Sequence, residues 1–296
     1  MREQKGISRR DFLRFALMTP FALNYSPWLS PVQTDQTRSK VVLIRHPDVV
    51  DDRRKVKPQI FREMLDEALK VLLEAPNADE AWKKIIKPED VVGIKSNVWS
   101  YLPTGREVEE VIKDRVLSCG VSEERIGVDD RGVLRNKIFR QATALINVRP
   151  IRTHYWSGIG GCLKNLITFA PDPSAYHPDT CADLALLWNN PLIKGKVRLN
   201  ILLMLTPLFH GVGPHHFNEK YVWPYKGILL SQDPVAVDSI GVLILQAKRR
   251  EFFGEERPLQ PPAHHIIYAE TRHRLGIANP QRIDLIKLGW SEGSLI

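Results

Sequence analysis

From Lys40 onward short apolar, β-branched runs alternate with stretches of helical spacing, and this alternation constrains the fold more than any other feature. Val41-Val42-Leu43-Ile44, Val91-Val92-Gly93-Ile94, Ile126-Gly127-Val128, Ala144-Leu145-Ile146-Asn147-Val148, Leu199–Leu205 and Ile228-Leu229-Leu230 read as strands. None alternates strictly between apolar and polar, so both faces of each must be covered. Residues 59–73 place Ile60, Met64, Leu65, Ala68, Leu69 and Leu72 at helical spacing, and a second helix is expected over 106–117. Strands interleaved with helices predict an α/β fold: a single domain over 40–296 with a mostly parallel, helix-covered β-sheet. The chain has 296 residues, 43% of them hydrophobic, enough to bury such a core. The Pro-rich run 257–262 is expected as a loop before the last helix.

Residues 1–39 stand apart as a leader and linker. Ser8-Arg9-Arg10-Asp11-Phe12-Leu13 resembles the twin-arginine export signal, with Arg9 and Arg10 as the address. The apolar run Phe15–Leu23 is too short to span a bilayer, which needs about 20 residues. The expectation is export through the twin-arginine translocase to the periplasm or the outer surface. No small-x-small cleavage site follows, which leaves tethering by an uncleaved leader open.

The net charge is +8, but residues 1–57 hold 12 Lys and Arg against 6 Asp and Glu. The basicity therefore belongs to the leader and the segment after it, which argues against a nucleic-acid partner. Cys119, Cys162 and Cys181 form no C-x-x-C, so a self-contained iron–sulfur cluster is not expected, and all three read as small buried hydrophobes.

Polar residues terminate the strands: His46, Lys95, Asn97, Asp129, Asp130, Asn147 and Asp233. In an open parallel sheet, ligands bind beyond the carboxyl ends of the strands. Strands also end in polar residues simply on reaching solvent.

Three blocks in order, VVGIKSN (91–97), ALINVRPIRTHYWSGIGGCLKNLITF (144–169) and GILLSQDPVAVDSIGVLIL (227–245), resemble the family named domain of unknown function 362. The resemblance spans most of residues 40–250. It implies an association with iron–sulfur proteins and twin-arginine leaders in some members, and little about chemistry. This chain departs from the family pattern in lacking cluster cysteines, in having Arg152 where the family has lysine, and in having Leu203 where an aspartate often ends the strand. If that aspartate matters for chemistry, this chain is altered or inactive.

Within the second block, Gly158, Gly160 and Gly161 permit close backbone approach, and Lys164 follows in the first helical turn. Exposed amides at a helix start, together with a lysine, form an anion site; alternatively the glycines only make the turn. Lys95, Asn97, Asn147, Arg152, His154, Gly160, Gly161, Lys164 and Asn165 are the candidate ligand residues, joined by Asp233 and Asp238. Asp233 before Pro234 is an N-cap in its own right. Asp238 is the only charge between Pro234 and Ala247, in an otherwise apolar helical stretch, and Lys95 or Lys164 is its expected partner.

The functional expectation is a crevice for a small anion, carboxylate or phosphate, or for a cofactor, with a redox link and a redox protein partner as further expectations. The cofactor stays unidentified and enzymatic activity stays open. Two alternatives stand beside it: a metal-binding, hydrolase-like protein using His177, His210, His215 and His216, and a non-catalytic partner of an exported redox complex.

Overall fold

The computed structural model describes residues 37–211 and 217–296. Arg9, Arg10, His215 and His216 lie outside them. In chain order the elements are β1 (Ser39–Arg45), α1 (Pro58–Leu72), α2 (Ala78–Ile85), β2 (Val92–Lys95), α3 (Arg106–Ser118), β3 (Ile126–Asp129), α4 (Lys137–Gln141), β4 (Ala144–His154), β5 (Gly158–Gly160), α5 (Cys162–Asn165), β6 (Val197–Leu208), β7 (Gly227–Ser231), α6 (Pro234–Phe253), α7 (His264–Thr271) and β8 (Ile283–Gly289).

The strands form one mixed, mostly parallel sheet of eight, ordered β3-β2-β4-β6-β7-β1-β8, with β5 paired to β4. Helices cover both faces, as the uninterrupted apolar runs require. One face carries Val42, Ile44, Ile94, Ile146, Val148, Ile201 and Ile228 against Phe61, Leu65 and Leu69 of α1 and Val108 and Ile112 of α3. The other carries Leu43, Leu202, Met204 and Leu229 against Val237, Ile240 and Ile244 of α6. Gly241 lets α6 lie close to the sheet, because a Cβ there would come within 2.6 Å of Leu202 and 2.7 Å of Ile151.

Two expectations about the strands change. β7 pairs antiparallel with both β6 and β1, so beyond Ser231 the chain leaves toward the edge where β1 and β6 begin, away from the ends of β4 and β6. Asp233 is thereby removed from the predicted crevice. It caps α6, accepting from the amides of Val235 and Ala236, and its second oxygen takes Ser39 Oγ at 2.5 Å and the Ile277 amide at 2.8 Å. The strand expected to end near Val148 continues to His154. Pro150 is accommodated inside it by a register shift against β6 between Pro150 and Arg152, the irregularity that a proline in an interior strand demands.

Candidate functional site

β2 and β3 are four residues long, whereas β4 and β6 run eleven and twelve. The sheet edge therefore has a step. At the foot of the step one polar row crosses five strands in register: Asp129, Lys95, Asn147, Asn200 and Ser231. Registered neighbours share a face, so these side chains stand side by side on it, half-buried at Asp129 and buried from Lys95 to Ser231. Lys95, Asn147 and Asn200 are fully buried.

The row is held by internal hydrogen bonds. Lys95 Nζ donates to Asp130 Oδ1 at 2.5 Å and to the Ser96 carbonyl at 2.7 Å. Asn147 Nδ2 donates to Asn200 Oδ1 at 2.9 Å and to the Cys162 carbonyl at 3.0 Å. Asn165, from α5, donates to Asn147 Oδ1 at 2.8 Å and to the carbonyls of Val148 and Lys95. Ser231 Oγ reaches the Lys40 carbonyl. Lys95, Asn147 and Asn165 thus seat α5 on the sheet, and the Lys95 ammonium is already engaged. Burial pushes its pKa down to about 8, with the Asp130 carboxylate opposing. Burial works to raise Asp130, but the charge and hydrogen bond of Lys95 and the Val98 amide outweigh it and hold the carboxyl below its ordinary range.

Asp238 has a different partner from either expected lysine. Its Oδ1 accepts the Cys162 amide at 2.7 Å and its Oδ2 the Leu163 amide at 2.9 Å, so the carboxylate of α6 caps the start of α5. The amides expected to cradle an external anion are therefore occupied by an internal one. The glycines serve that arrangement: a Cβ on Gly161 would come within 2.5 Å of Asp238 Cγ, and one on Gly160 would overlap the Arg149 guanidinium. Burial raises the Asp238 pKa to about 7 against the pull of the two amides and Arg149.

Above the step, the overhanging part of β4 supplies Arg149 and Arg152, and α5 supplies Lys164, all at least 95% buried. Arg152 Nη1 donates to Asn97 Oδ1 at 3.1 Å, and its guanidinium lies 4.2 Å from the Trp99 ring centroid. The Nε atoms of Arg149 and Arg152 have no hydrogen-bond partner. Lys164 Nζ has one polar contact, Cys181 Sγ at 3.6 Å. Among the described residues no carboxylate pairs with any of the three. Burial lowers the pKa of Lys164 to about 8, with Arg149 and Arg152 adding to the effect.

Neutral imidazoles surround the cations. His154 is held far below its usual range by burial and then by Lys164, Arg149 and Arg152. Burial and Lys164 bring His177 to about 4, and burial, Lys164 and Arg149 bring His265 to about 3. His265 is fully buried, and its ring nitrogens make no hydrogen bond of full geometry, with the Ser157 backbone the polar group that acts on them. Trp156, 41% exposed, packs against His177 with ring centroids 3.8 Å apart and ring planes tilted by 33°, and forms the outer side of the cluster.

The structure thus brings Lys95, Asn97, Asn147, Arg152 and Asn165 into one bonded network, with Lys164 and His154 in the same electrostatic neighbourhood. Asp233 and His210 lie elsewhere. His210 Nδ1 faces Arg249 Nη1 at 2.9 Å, on the wall of an 840 Å³ cavity with Tyr221 and Arg257. His177 stands with Trp156 and Lys164 rather than with other metal-ligating groups, and the described residues contain no cluster of three or more His, Cys, Asp or Glu able to hold a metal ion. Leu203, in register with Pro150, faces the α1–α3 side, away from Asn147.

Arg149, His265 and Cys181 were not expected at the site. Arg149 reads in the sequence as a strand terminus, His265 sits 101 positions from Lys164 with no motif linking them, and Cys181 reads as packing. An arginine at each end of Arg149-Pro150-Ile151-Arg152 was the one local signal: Arg149 keeps regular register with Leu202 and shares the face of Asn147, and Arg152 follows the register shift after Pro150.

Residues 121–242 match the model of the family described as Domain of unknown function (DUF362), which supports that family for this chain. The matched span holds Arg149, Arg152, His154, Lys164, Cys181 and Asp238, and stops short of Lys95 on one side and His265 on the other. No curated protein and no solved structure matches the chain.

Proposed function

We propose that this protein binds a small oxyanion, carboxylate or phosphate, free or as the anionic group of a cofactor, at Arg149, Arg152 and Lys164. One observation carries the reading: no carboxylate forms a contact ion pair with any of the three buried cations, Asp130 and Asp238 acting on the arginines only from beyond contact, and two of the three keep an unpartnered Nε. An arginine cannot shed its proton, and a buried charge without a counterion costs several kcal/mol. An oxyanion supplies the missing charge, and its planar or tetrahedral oxygens match the guanidinium fork. Lys95, Asn147, Asn165 and Asp238 hold α5 and do not themselves face the ligand. Asn97 orients Arg152.

Isothermal titration with phosphate and with short carboxylates tests this. Wild-type protein binds at least one of them, and Arg149→Met and Arg152→Met each weaken binding at least tenfold while the fold is retained. Absence of binding to any of these anions, or wild-type binding by both variants, overturns the reading. Export through the twin-arginine translocase and a redox partner belong to the same proposal and rest on the Ser8–Leu13 block and the family resemblance alone. Fractionation of a host carrying Arg9→Lys/Arg10→Lys protein tests the first: retention of the variant inside the cell supports it, and unchanged distribution refutes it.

A further inference from the structure

Lys164 differs from the other buried lysine in a way that simple anion binding does not use. Lys95 directs its ammonium at a carboxylate and a carbonyl oxygen. Lys164, 3% exposed, has one soft sulfur at 3.6 Å and two arginines for neighbours. An amine that is desolvated and set beside other cations gives up its proton more readily than an ordinary lysine, and the free base is the nucleophile that attacks a carbonyl.

The surroundings fit such a step. Arg149 and Arg152 hold an anionic group near the amine. His154 and His265 lie close enough to feel its charge, and both are neutral imidazoles, each able to give or take a proton. The His265 ring makes no hydrogen bond of full geometry, its nearest polar interaction being with the Ser157 backbone. Over Lys164 the backbone is strained: Asp179, Thr180 and Cys181 follow one another with φ of 48°, 56° and 65°, a left-handed run without glycine. Each costs about 1 kcal/mol or more and persists only where the surroundings enforce it, which is common at functional sites. This run places Cys181 against Lys164 Nζ.

We infer that Lys164 forms an imine with the carbonyl group of a small anionic aldehyde or ketone, a 2-oxo acid or a phosphorylated carbonyl compound, whose anion Arg149 and Arg152 hold. The inference rests on the anion-binding reading and names its substrate class. The Nζ lone pair attacks the carbonyl carbon. The C–N bond forms as the C=O π pair moves to oxygen, and one Nζ proton passes through a neighbouring imidazole to that oxygen. The resulting carbinolamine takes a second proton on its hydroxyl and loses water, leaving a protonated imine. The sum is amine plus carbonyl plus one proton giving iminium plus water, with no oxidant or reductant.

The test is reductive trapping. Full-length protein is incubated with glyoxylate in one arm and glycolaldehyde phosphate in the other, reduced with cyanoborohydride, and mapped by peptide mass spectrometry. The expected result is one adduct per chain, on Lys164, in at least one arm, suppressed by excess phosphate and absent from Lys164→Arg. The arm that reacts tells carboxylate from phosphate. Should Lys164→Arg fail to fold, the wild-type map and its phosphate protection still decide. No adduct, or adducts scattered over exposed lysines, overturns the inference. If calorimetry shows anion binding in the same preparation, only the carbonyl step falls; if it shows none, the anion-binding reading falls as well.

Discussion

Asp130→Asn isolates the charge at the foot of the step. In the wild type, Asp130 Oδ1 lies 2.5 Å from Lys95 Nζ, Oδ2 accepts the Val98 amide at 3.0 Å, and the Lys95 side chain is wholly buried. The variant keeps one oxygen and removes the charge, leaving an ammonium with the Ser96 carbonyl as its remaining close acceptor. Removing one partner of a buried pair costs about 3–5 kcal/mol, because the other charge stays buried without compensation. With a urea slope of about 3 kcal/mol/M, the midpoint falls by about 1–1.7 M, read by tryptophan fluorescence. The loss depends on pH in a definite direction. Lys95 titrates near 8 when folded and at its ordinary 10.5 when unfolded, so wild-type stability rises as the pH climbs from about 8 to 10.5. Without Asp130 the folded pKa falls further, the rise begins at lower pH, and the deficit of the variant narrows as the pH climbs toward about 8 and is constant above it. Replacing both residues, Lys95→Met with Asp130→Leu, removes the charges together and costs less than the sum of the two single changes. A single variant within about 1 kcal/mol of wild type, or a double variant that is strictly additive, would refute the claim that these two charges are buried against each other.

Three more outcomes follow. Gly161→Ala forces a methyl group into the Asp238 carboxylate and destabilises the fold by about 2–4 kcal/mol, measured by urea unfolding; Gly254→Ala, where nothing lies within 4 Å but φ is +70°, costs about 1 kcal/mol. Asp238→Ala strips two buried amides of their acceptor and lowers stability by about 3 kcal/mol, and amide hydrogen exchange at Cys162 and Leu163 accelerates; unchanged exchange would show that the cap is not formed. The rate of carbonyl trapping at Lys164 rises with pH and levels off above about 8, where the amine is unprotonated; a rate still climbing steeply at pH 10 places the reaction on ordinary surface lysines.

Periodicity alone specified the layers. Apolar runs without alternation demand cover on both faces, and β1, β2, β3, β4, β6 and β7 all lie where such runs were read. β8 was not foreseen, since its burial alternates along an edge and its apolar signal is correspondingly thin. The motif residues Lys95, Asn97, Asn147, Arg152 and Asn165 converge as their positions at strand ends and after the glycines suggested. Their division of labour was not legible. Whether a strand runs with or against its neighbours depends on pairings between segments far apart in sequence. That direction alone moved Asp233 away from the ends of β4 and β6. The partner of Asp238 was equally hidden, because the Cys162 and Leu163 amides stand 76 and 75 residues away and carry no side-chain signature. Spacing along the chain reports which face a side chain takes. Only packing in three dimensions decided that the amides already hold an internal carboxylate, and that Arg149, Arg152 and Lys164 are the buried charges left without one in contact.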